Sequence, residues 1–588
     1  MVSIMEQLKN KTVLVFGEDN RSFLAVVRSL AKAGMKVDAV SFSKLAPALK
    51  SKYIDKVYFF NHLSMTLEQW KDEVIALIDE KNYDLVIPCD ERSLFPLIEI
   101  QKQVKNNTVF ALPNEDILTP LFDKSATRNT AKKCDIPVAN GQLMNLSGVD
   151  FSDLVTQFEQ PLVLKPTQSY TEENLNKRQD VKIVHNESEY QVFVKHNSDA
   201  DCLVESFFSG YGVGVSVLAS EGVINTAFSH ARVAEPETGG GSSYRKSISI
   251  EPSMLAACQK FCQQLKYTGV AMFEFKRNPE NGSWILIEVN ARFWGSLPLA
   301  IFAGVDFPAK YASLLLGYKV DQQFSYNEGV YARCFAADVY AMKAEFDLGR
   351  SRKGNMAALG QLAKRLFSFS RVLIGKESID AFQWQDKKPF YAEFYSLFSD
   401  KLYNLPFIKE HRQKQRIASF KQKLQAEENP QEVFFICYGN IMRSPFASEL
   451  FQKKIKNTAM ATTKVDSFGF HQMVNRRAQP GCITMATSWK IDLSLHKSKL
   501  VRQQNIIKGK PLVIIFDHKN ESILTAYYPE VNFISLADLI PKNKGFHAEI
   551  EDPYGKSTAQ LRNCYQLIDS GLDELIEILC NNHSGRAF

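Results

Sequence analysis

A cysteine and an arginine stand six positions apart in VFFICYGNIMRSPFASELF, which runs from residue 433 to 451. The apolar run before Cys437 predicts a buried strand, and Ser444 followed by proline predicts the N-cap and first residue of a helix. Backbone N–H groups of the intervening loop, with the positive end of the helix, would converge on an anion. Arg443 adds a planar fork that can hold two phosphate oxygens. The pattern therefore predicts a phosphate held over Cys437.

A loop of this kind can catalyse nucleophilic displacement at phosphorus. The field that attracts a phosphate also favours a thiolate at Cys437, and the thiolate is the form of cysteine that attacks. The hydroxyl of Ser444 could stabilise that thiolate when it leaves again. The loop therefore predicts hydrolysis through a cysteinyl-phosphate intermediate.

Two carboxylates and an amide are placed to bind a metal in GVAMFEFKRNPENGSWILIEVNARFWGS. Glu274 and Glu288 fall on two predicted strands joined by a turn at NPENGS, so their carboxylates can face each other. Asn290 lies two positions after Glu288 and therefore on the same strand face. Such oxygen ligands suit a magnesium ion that also holds nucleotide phosphates. Arg292, again two positions on, could bind a phosphate through both of its N–H edges.

Alternating strands and helices are predicted at both ends of the chain. From KTVLVFG onward, strands alternate with helices, which predicts a parallel sheet covered by helices. Longer strands between about residues 115 and 320 predict a second, α+β architecture. The pattern degrades after residue 320, and KEHRQKQRIASFKQK at 409–423 predicts a basic linker helix. Alternation resumes at Val433, so the phosphate loop would lie at the edge of a small α/β domain.

The composition narrows the class of protein. A chain of 588 residues is too long for one hydrophobic core, and 45% hydrophobic with 23% charged residues is typical of globular domains. No stretch approaches the roughly 18 apolar residues of a membrane helix, and no signal peptide is predicted. Ten cysteines without a CxxC pair fit a reducing compartment. A net charge of +6 is modest for a chain of this length, so binding to nucleic acid is not expected. The cysteine content and the lack of a predicted signal peptide together lead us to expect a cytoplasmic protein.

The CYGNIMRSP loop resembles that of the low-molecular-weight protein tyrosine phosphatases. Members of that family carry Cys, five residues and Arg-Ser, usually with Gly-Asn at the third and fourth positions and Pro after the Ser. The resemblance covers residues 432 to 582. It implies that Cys437 is the nucleophile, that Arg443 and Ser444 are catalytic, and that the phosphate loop consists of Tyr438, Gly439, Asn440, Ile441 and Met442.

The same resemblance implies a general acid and a substrate. The family places an Asp before Pro near its C terminus, where this chain has Asp552 in EDPYGKS. That acid would protonate a departing phenolate and then activate water. Ile441 is the residue expected for a phosphotyrosine enzyme, since phosphoarginine enzymes tend to carry Thr. Met442 stands where many members carry a second Cys, so a protective disulfide with the nucleophile is not expected. The implied partner is a tyrosine-phosphorylated protein.

The stretch from Glu274 to Arg292 resembles the ATP-grasp enzymes, most closely the carbamoyl-phosphate synthase-like members, over roughly residues 1 to 320. Such enzymes activate a carboxylate as an acyl phosphate that an amine or thiol attacks. The resemblance implies ATP, magnesium or manganese, and an unknown acid and amine as substrates. It implies metal ligation by Glu274, Glu288 and Asn290, and nucleotide contacts from Lys124 in FDKSAT, Lys165 in QPLVLKP, Glu205 and Phe207 in CLVESFFSG, and Arg292.

One departure from the ATP-grasp pattern concerns the loop over the phosphates. The family often has a Gly-rich loop after Lys165, whereas TQSYTEENLNKRQ at 167–179 contains no glycine. The stretch ETGGGSSYR at 237–245 could supply a flexible substrate loop. Arg232 and Arg245 could meet a carboxylate or a phosphate, or could be solvated.

The expected fold class is multidomain, both α/β and α+β. We expect a pre-ATP-grasp α/β domain with a parallel sheet at 1–115, an ATP-grasp domain at 116–320, a connector with a basic helical linker at 321–430, and a low-molecular-weight phosphatase domain with a central parallel sheet at 431–588. The expected function is a ligase joined to a phosphatase. The fusion suggests a role in surface-polysaccharide assembly or signalling.

Two other functions stay open. The ATP-grasp part could bind nucleotide without turnover and regulate the phosphatase. Alternatively, the basic segments KRLFSFSRVLIGK at 364–376 and 409–423 could dock a partner protein or an anionic membrane surface. A solvated basic face is the expected explanation for both segments, so membrane contact is not the expectation.

Overall fold

The computed structural model describes residues 4–60, 66–170, 179–197, 201–234, 241–403, 411, 413–418, 420, 422, 430–471, 473–502, 506, 511–540 and 549–583. The chain divides into two compact units. The first comprises Met1–Phe60 and Leu67–Phe394, and the second contains the C-terminal residues Tyr395–Phe588. None of the described helices combines the length and the apolar content that crossing a membrane requires.

The first unit opens with a five-stranded parallel sheet. Its strands β1 to β5 are Thr12–Phe16, Lys36–Ser41, Lys56–Phe59, Leu85–Pro88 and Val109–Phe110, in the order β3-β2-β1-β4-β5. Helices α1 to α4 are Ile4–Leu8, Ser22–Lys32, Leu67–Lys81 and Glu91–Ile100. The runs in β1 and β4 are almost wholly buried, as expected for central strands covered on both faces. The predicted parallel sheet is therefore confirmed.

Two antiparallel structures follow. A four-stranded sheet, in the order β6-β9-β7-β8, consists of Gly141–Asn145, Leu162–Pro166, Lys182–Val184 and Asp201–Ser206 for β6 to β9. A seven-stranded sheet, in the order β14-β13-β10-β11-β12-β15-β16, consists of Tyr211–Ser220, Val223–Ala234, Tyr244–Ser247, Gly269–Arg277, Trp284–Asn290, Tyr331–Arg333 and Glu377–Ile379 for β10 to β16. Only the edge pair β15 and β16 of this larger sheet is parallel. The predicted second architecture is confirmed.

Helices surround these sheets. Helices α5 to α11 are Leu118–Phe122, Lys124–Lys133, Phe151–Phe158, Glu187–Asn197, Pro252–Gln264, Leu297–Phe302 and Phe307–Leu315. Helices α12 to α15 are Phe335–Lys353, Asn355–Phe367, Ser370–Leu373 and Lys388–Tyr403. Short 3-10 turns occur at Pro47–Lys50, Glu115–Ile117, Thr487–Trp489 and Leu536–Leu539.

The residues beyond 320 complete the larger sheet. Arg333 Nε donates to Glu377 Oε1 at 2.7 Å, and this buried pair joins β15 to β16. Arg245 Nη2 donates to Asp380 Oδ1 at 2.6 Å, with both side chains almost fully buried. Arg245 is therefore paired with a carboxylate and is not solvated. The segment expected as a connector lies in the first unit up to Phe394.

The second unit contains a four-stranded parallel sheet. Its strands β17 to β20 are Glu432–Cys437, Lys464–Gly469, Leu512–Ile515 and Phe533–Ser535, in the order β18-β17-β19-β20. The helices of this part are Arg443–Ile455, Pro480–Ala486, His518–Tyr527 and Thr558–His583. The predicted central parallel sheet is confirmed.

Much of the expected linker helix at 409–423 lies outside the described residues. The described part packs on the second unit. Arg416 binds Asp538 through Nε–Oδ2 at 2.5 Å and Nη2–Oδ1 at 2.7 Å. Phe420 is 2% exposed and belongs to the same hydrophobic core as the strand β17. The described end of this basic segment is thus part of the second unit.

Candidate active sites

The cysteine loop connects β17 to the helix Arg443–Ile455. Cys437 ends the strand and is 3% exposed. The backbone N–H of Asn440 donates to Cys437 Sγ at 3.2 Å, and Ser444 Oγ lies 3.1 Å from the same sulfur. Hydrogen bonds of this kind stabilise a negative charge on the acceptor. The loop therefore supplies donors to a thiolate at Cys437.

The helix after the loop begins one residue before Ser444. The sequence predicts Ser444 as N-cap, but Arg443 is the first helical residue and Met442 occupies the N-cap position without a capping side-chain bond. The prediction is wrong because the Ser444 hydroxyl is turned toward Cys437 and also accepts from Asn440 Nδ2 at 3.0 Å. The Ser444 hydroxyl therefore faces the sulfur and does not cap the helix.

Asn440 ties the loop to its surroundings. Its backbone is left-handed, with φ of 51°. Its Nδ2 donates to Ser467 Oγ at 3.0 Å in addition to Ser444, and its Oδ1 accepts from the backbone N–H of Lys499 at 2.7 Å. Its carbonyl oxygen lies 2.8 Å from His496 Nε2. One side chain and one carbonyl thus connect the loop to two other segments, the strand β18 and the stretch that contains His496 and Lys499.

Arg443 is 1% exposed and is held by groups far away in the sequence. Its Nη1 donates to Asp517 Oδ2 at 2.6 Å and to the carbonyl of Ile550 at 2.8 Å. Burial opposes its charge, but Asp517, Cys437 and Asp552 outweigh burial and raise the pKa of Arg443 above its usual value. The guanidinium therefore stays charged beside the sulfur.

Asp517 is a positioning residue that the sequence reasoning missed. It lies two residues after the end of the buried strand β19 and caps the helix His518–Tyr527 by accepting from Asn520 N at 2.8 Å. Because β17 and β19 are parallel neighbours, their carboxyl ends meet at one edge, which brings Asp517 to Arg443. In the sequence, the feature that could have identified Asp517 is an Asp placed directly after an apolar run.

The predicted general acid lies beside the arginine. Asp552 Oδ2 is 2.9 Å from Arg443 Nη2, and the Asp552 side chain is 44% exposed. The carboxylate therefore stands between the buried guanidinium and solvent, where a leaving group would emerge. The structure brings Cys437, Arg443, Ser444 and Asp552 into one site.

The remaining loop residues have different surroundings. Tyr438 is half-buried, with Lys519 Nζ 3.6 Å from the centre of its ring. The carbonyl of Gly439 accepts from Arg476 Nη2 at 2.6 Å. Ile441 and Met442 are 7% and 8% exposed and pack in the hydrophobic core of the second unit.

The hairpin of β13 and β14 carries the predicted metal ligands. Glu274 is paired directly with Glu288 across the two strands, and the register shifts just after Glu274. Asn290 Nδ2 donates to Glu274 Oε1 at 3.2 Å, so all three side chains converge. Arg232 Nη2 lies 2.5 Å from Glu274 Oε2, so Arg232 is paired with a carboxylate.

The chemistry of this set fits a magnesium ion held together with nucleotide phosphates. Magnesium takes oxygen ligands and needs only one or two protein carboxylates when phosphates complete its shell. Two facing carboxylates and one amide provide such donors. Among the described residues, no group of three or more His, Cys, Asp or Glu side chains forms a metal site of its own.

A cleft contains two of the five predicted nucleotide residues and two of the three predicted metal ligands. Its lining includes Lys124, Glu205, Glu288 and Asn290. Lys124 is the first residue of α6, and its Nζ donates to Ser169 Oγ at 3.1 Å. Predicted residue Phe207 is not part of this lining and is 39% exposed. The residues at 171–178 and 235–240, in the two loops expected to cover the substrates, lie outside the described residues.

A buried charge cluster lies at the base of this cleft. Glu205 Oε2 is 2.5 Å from Lys165 Nζ, and its Oε1 accepts from Arg128 Nη1 at 2.9 Å. All three side chains are 7% exposed. Two cations against one carboxylate leave a positive charge, which suits a phosphate. Glu205 is thus engaged in orienting Lys165, a contact that the sequence did not predict.

We expect Glu205→Gln to lower the stability of the first unit by about 3–5 kcal/mol, because it leaves two buried cations without a counterion. The measurement is the thermal midpoint of the intact chain followed calorimetrically. Glu280→Gln is the matched control, since Glu280 is exposed in the β13–β14 turn. Equal midpoints for both variants would show that the cluster does not stabilise the fold.

Arg292 lies at the end of the same hairpin. Its Nε donates to Glu91 Oε1 at 3.1 Å, and Glu91 is the first residue of α4. Burial opposes the charge, but Glu91 and Glu288 outweigh it and raise the pKa of Arg292. Arg292 therefore connects the hairpin to the N-terminal α/β part of the unit while remaining charged.

Known proteins resemble the two halves separately. Residues 432–584 match the family model for low molecular weight phosphotyrosine protein phosphatase. The protein-arginine-phosphatase of Bacillus subtilis (strain 168) is 25% identical over 150 residues, which cover 25% of this chain and 93% of that protein. Residues 198–334 match the model described as ATP-grasp in the biosynthetic pathway with Ter operon.

Two further proteins resemble the first half. The D-aspartate ligase of Enterococcus faecium (strain Aus0004) is 20% identical over 319 residues, covering 49% of this chain and 73% of that protein. The structure of N5-carboxyaminoimidazole synthetase from Staphylococcus aureus complexed with ADP covers 58% of this chain and 87% of its own, at 16% identity and a TM-score of 0.46. Both resemblances inferred from the sequence are confirmed: one segment of the chain matches an ATP-grasp model, and a later segment matches the model for low molecular weight phosphotyrosine protein phosphatase.

Proposed function

We propose that the second unit hydrolyses phosphotyrosine in a protein through a cysteinyl-phosphate intermediate. The observation that carries this proposal is the buried guanidinium beside the thiol. Arg443 Nε and Nη2 make no hydrogen bond within the described residues, and the 2.9 Å contact of Nη2 with Asp552 lacks hydrogen-bond geometry. Buried unpaired donors of this kind call for a ligand. Two N–H groups aimed beside Cys437 suit two phosphate oxygens.

The residues define the steps. The Cys437 thiolate attacks phosphorus, so that the S–P bond forms while the P–O bond to the phenol breaks. Asp552 gives its proton to the departing oxygen. Water then attacks phosphorus, Asp552 takes a proton from it, and the S–P bond breaks. Ser444 Oγ, 3.1 Å from the sulfur, stabilises the thiolate that leaves.

Asp552→Asn tests the acid. We expect its kcat on phosphotyrosine to fall about 10²-fold or more, because phenolate needs a proton to leave. Activated nitrophenyl phosphate, whose leaving group needs little protonation, should lose much less. Asp573→Asn, at an exposed carboxylate on the helix Thr558–His583, is the control. Equal losses of kcat on both substrates would show that Asp552 is not the general acid.

Phosphotyrosine is favoured over phosphoarginine by Ile441, which stands where phosphoarginine enzymes tend to carry Thr. The matched relative is named an arginine phosphatase, so both substrates belong in the assay. Faster hydrolysis of phosphoarginine would overturn the tyrosine proposal and leave the cysteinyl-phosphate mechanism intact.

For the first unit we propose an ATP-dependent carboxylate–amine ligase using magnesium. Glu288 and Asn290 line one cleft with Lys124, and Glu274 accepts a hydrogen bond from Asn290 on the paired strand, which supports this. ATP consumption by the whole protein should rise with one acid and one amine from pools of amino acids, sugar acids and amines. A second candidate, nucleotide sensing without turnover, is favoured by the missing glycines at 167–179. This second candidate predicts that the protein binds magnesium-ATP but that no pool of acids and amines causes ATP consumption.

Two wider proposals rest on the sequence. The scattered cysteines favour a cytoplasmic location. The fusion of these two domains is the ground for proposing a role in surface-polysaccharide assembly. We propose the domain limits that the sequence patterns predict, with the phosphatase domain beginning at residue 431.

A further inference from the structure

Helices α13 and α14 present an apolar face to solvent. The side chains on this face are large and more than half exposed. They are Met356 at 85%, Leu359 at 51%, Leu366 at 53%, Phe367 at 78%, Leu373 at 88% and Ile374 at 72%. Contiguous exposed apolar side chains of this number mark an interaction site more often than a free surface.

The helical spacing shows that this face is separate from the one that packs inward. Residue Ala358 is buried, and Leu362 and Arg365 are half-buried, at i, i+4 and i+7. Residues 356, 359, 363, 366 and 367 follow the opposite side of α13. The helix therefore has an inner apolar stripe that serves the fold and an outer one that the described first unit leaves uncovered.

The charge around the outer stripe has one sign. From Arg350 to Lys376 the sequence contains seven Lys or Arg residues and no Asp or Glu. Lys364 and Lys376 are exposed. A stretch of 4–8 basic residues beside exposed Phe and Leu is typical of a segment that lies in an anionic membrane interface.

A cavity with three basic side chains and one acidic side chain opens beside this stripe. It has a volume of about 500 Å³, and its lining includes Glu345, Lys364, Arg365 and Arg371. Arg365 Nη2 binds Asp338 at 2.5 Å and Arg371 Nη1 donates to the Tyr244 hydroxyl at 2.7 Å, whereas Lys364 is exposed. A phosphate group from a lipid would contact Lys364 while apolar side chains enter the acyl region.

We propose that the α13–α14 face docks the protein on an anionic phospholipid bilayer. The apolar side chains would enter the boundary between headgroups and acyl chains, and the basic residues would contact lipid phosphates. A second copy fits poorly, because seven like charges would meet seven others. A protein partner would need an acidic rim around an apolar groove, whereas a bilayer offers both properties over any area. The solvated basic face expected for 364–376 does not account for the four exposed apolar side chains within that segment.

The test uses the full chain and sucrose-loaded vesicles of phosphatidylcholine, with or without phosphatidylglycerol. We expect sedimentation with the anionic vesicles and little with the neutral ones. Phe367→Ser with Leu373→Ser should lower the partition coefficient about tenfold or more, since two apolar side chains lose their burial. Lys364→Ala with Lys376→Ala should lower it about fivefold per charge.

Leu495→Ser is the matched control, because Leu495 is 89% exposed in the second unit and should not alter binding. All replaced side chains are exposed, so unchanged thermal midpoints are expected and are measured in parallel. The proposal is overturned if the chain ignores anionic vesicles, or if the lysine pair abolishes binding while the apolar pair changes nothing. It is also overturned if the apolar pair alters only the molar mass in light scattering, which would identify a second copy as the occupant.

Discussion

Cys437→Ser is expected to abolish hydrolysis of aryl phosphates by the intact chain, with a loss of about 10⁴-fold or more. The hydroxyl of serine does not ionise near neutral pH, so the donors that Asn440 and Ser444 direct at position 437 would have no anion to stabilise. The measurement is kcat on nitrophenyl phosphate and on a phosphotyrosine peptide. Phosphate binding should survive, because Arg443 and the loop amides are unchanged.

Cys580→Ser supplies the matched control. Cys580 lies on the last helix, is only partly exposed, and takes no part in the loop. Its replacement should leave both rates within about twofold of the wild type. Undiminished hydrolysis by Cys437→Ser, or an equal loss in Cys580→Ser, would contradict the assignment of the nucleophile.

Glu288→Gln is expected to remove most of the stabilisation that magnesium-ATP gives to the first unit. A ligand at 100 times its Kd that binds only the native state adds about 2.7 kcal/mol. For a unit of this size, that is a rise of about 3 °C in thermal midpoint. Glu288 faces Glu274 across the hairpin, so its loss would halve the negative charge available to the metal.

Glu280→Gln again serves as the control, because it keeps the hairpin and removes an exposed charge in its turn. Its ATP response should equal that of the wild type. Loss of phosphatase activity on heating should be independent of ATP in all three proteins, if the second unit melts by itself. A wild type that shows no magnesium-dependent shift at saturating ATP, or a Glu288→Gln variant that shifts fully, would contradict the metal site.

The parts of the two sites that lie close in sequence could be predicted. Cys437, Asn440, Arg443 and Ser444 fall within one strand, turn and helix, so spacing and residue type suffice. The two strands that carry Glu274 and Glu288 are likewise joined by a short turn, and strand periodicity places both carboxylates on one face. Such features need only local geometry.

The contacts that hold these residues could not be predicted, because they depend on sheet order. Asp517 and the Ile550 carbonyl reach Arg443 from 74 and 107 positions away. Lys165 and Arg128 meet Glu205 only because β7 and β9 pair and α6 packs nearby. Several arrangements of strands agree with one alternating pattern, and each would choose different partners.

The region after residue 320 shows a different limit. Two short strands there are added at the edge of a sheet that begins more than a hundred residues earlier. Helix α12 has no single apolar face, so its sequence lacks the usual amphipathic period. Short edge strands and a helix without an apolar stripe together explain why the sequence pattern degrades after residue 320.

The left-handed backbone of Asn440 has a consequence for how tightly the phosphatase loop can hold its ligand. An unsupported loop would have to be ordered when phosphate arrives, and that loss of freedom would weaken binding. Here the ordering is completed during folding, because Ser467, Lys499 and His496 hold Asn440 in a conformation that few other side chains tolerate. The loop is thus preorganised, so the interaction energy with phosphate can appear as affinity and as stabilisation of the transition state.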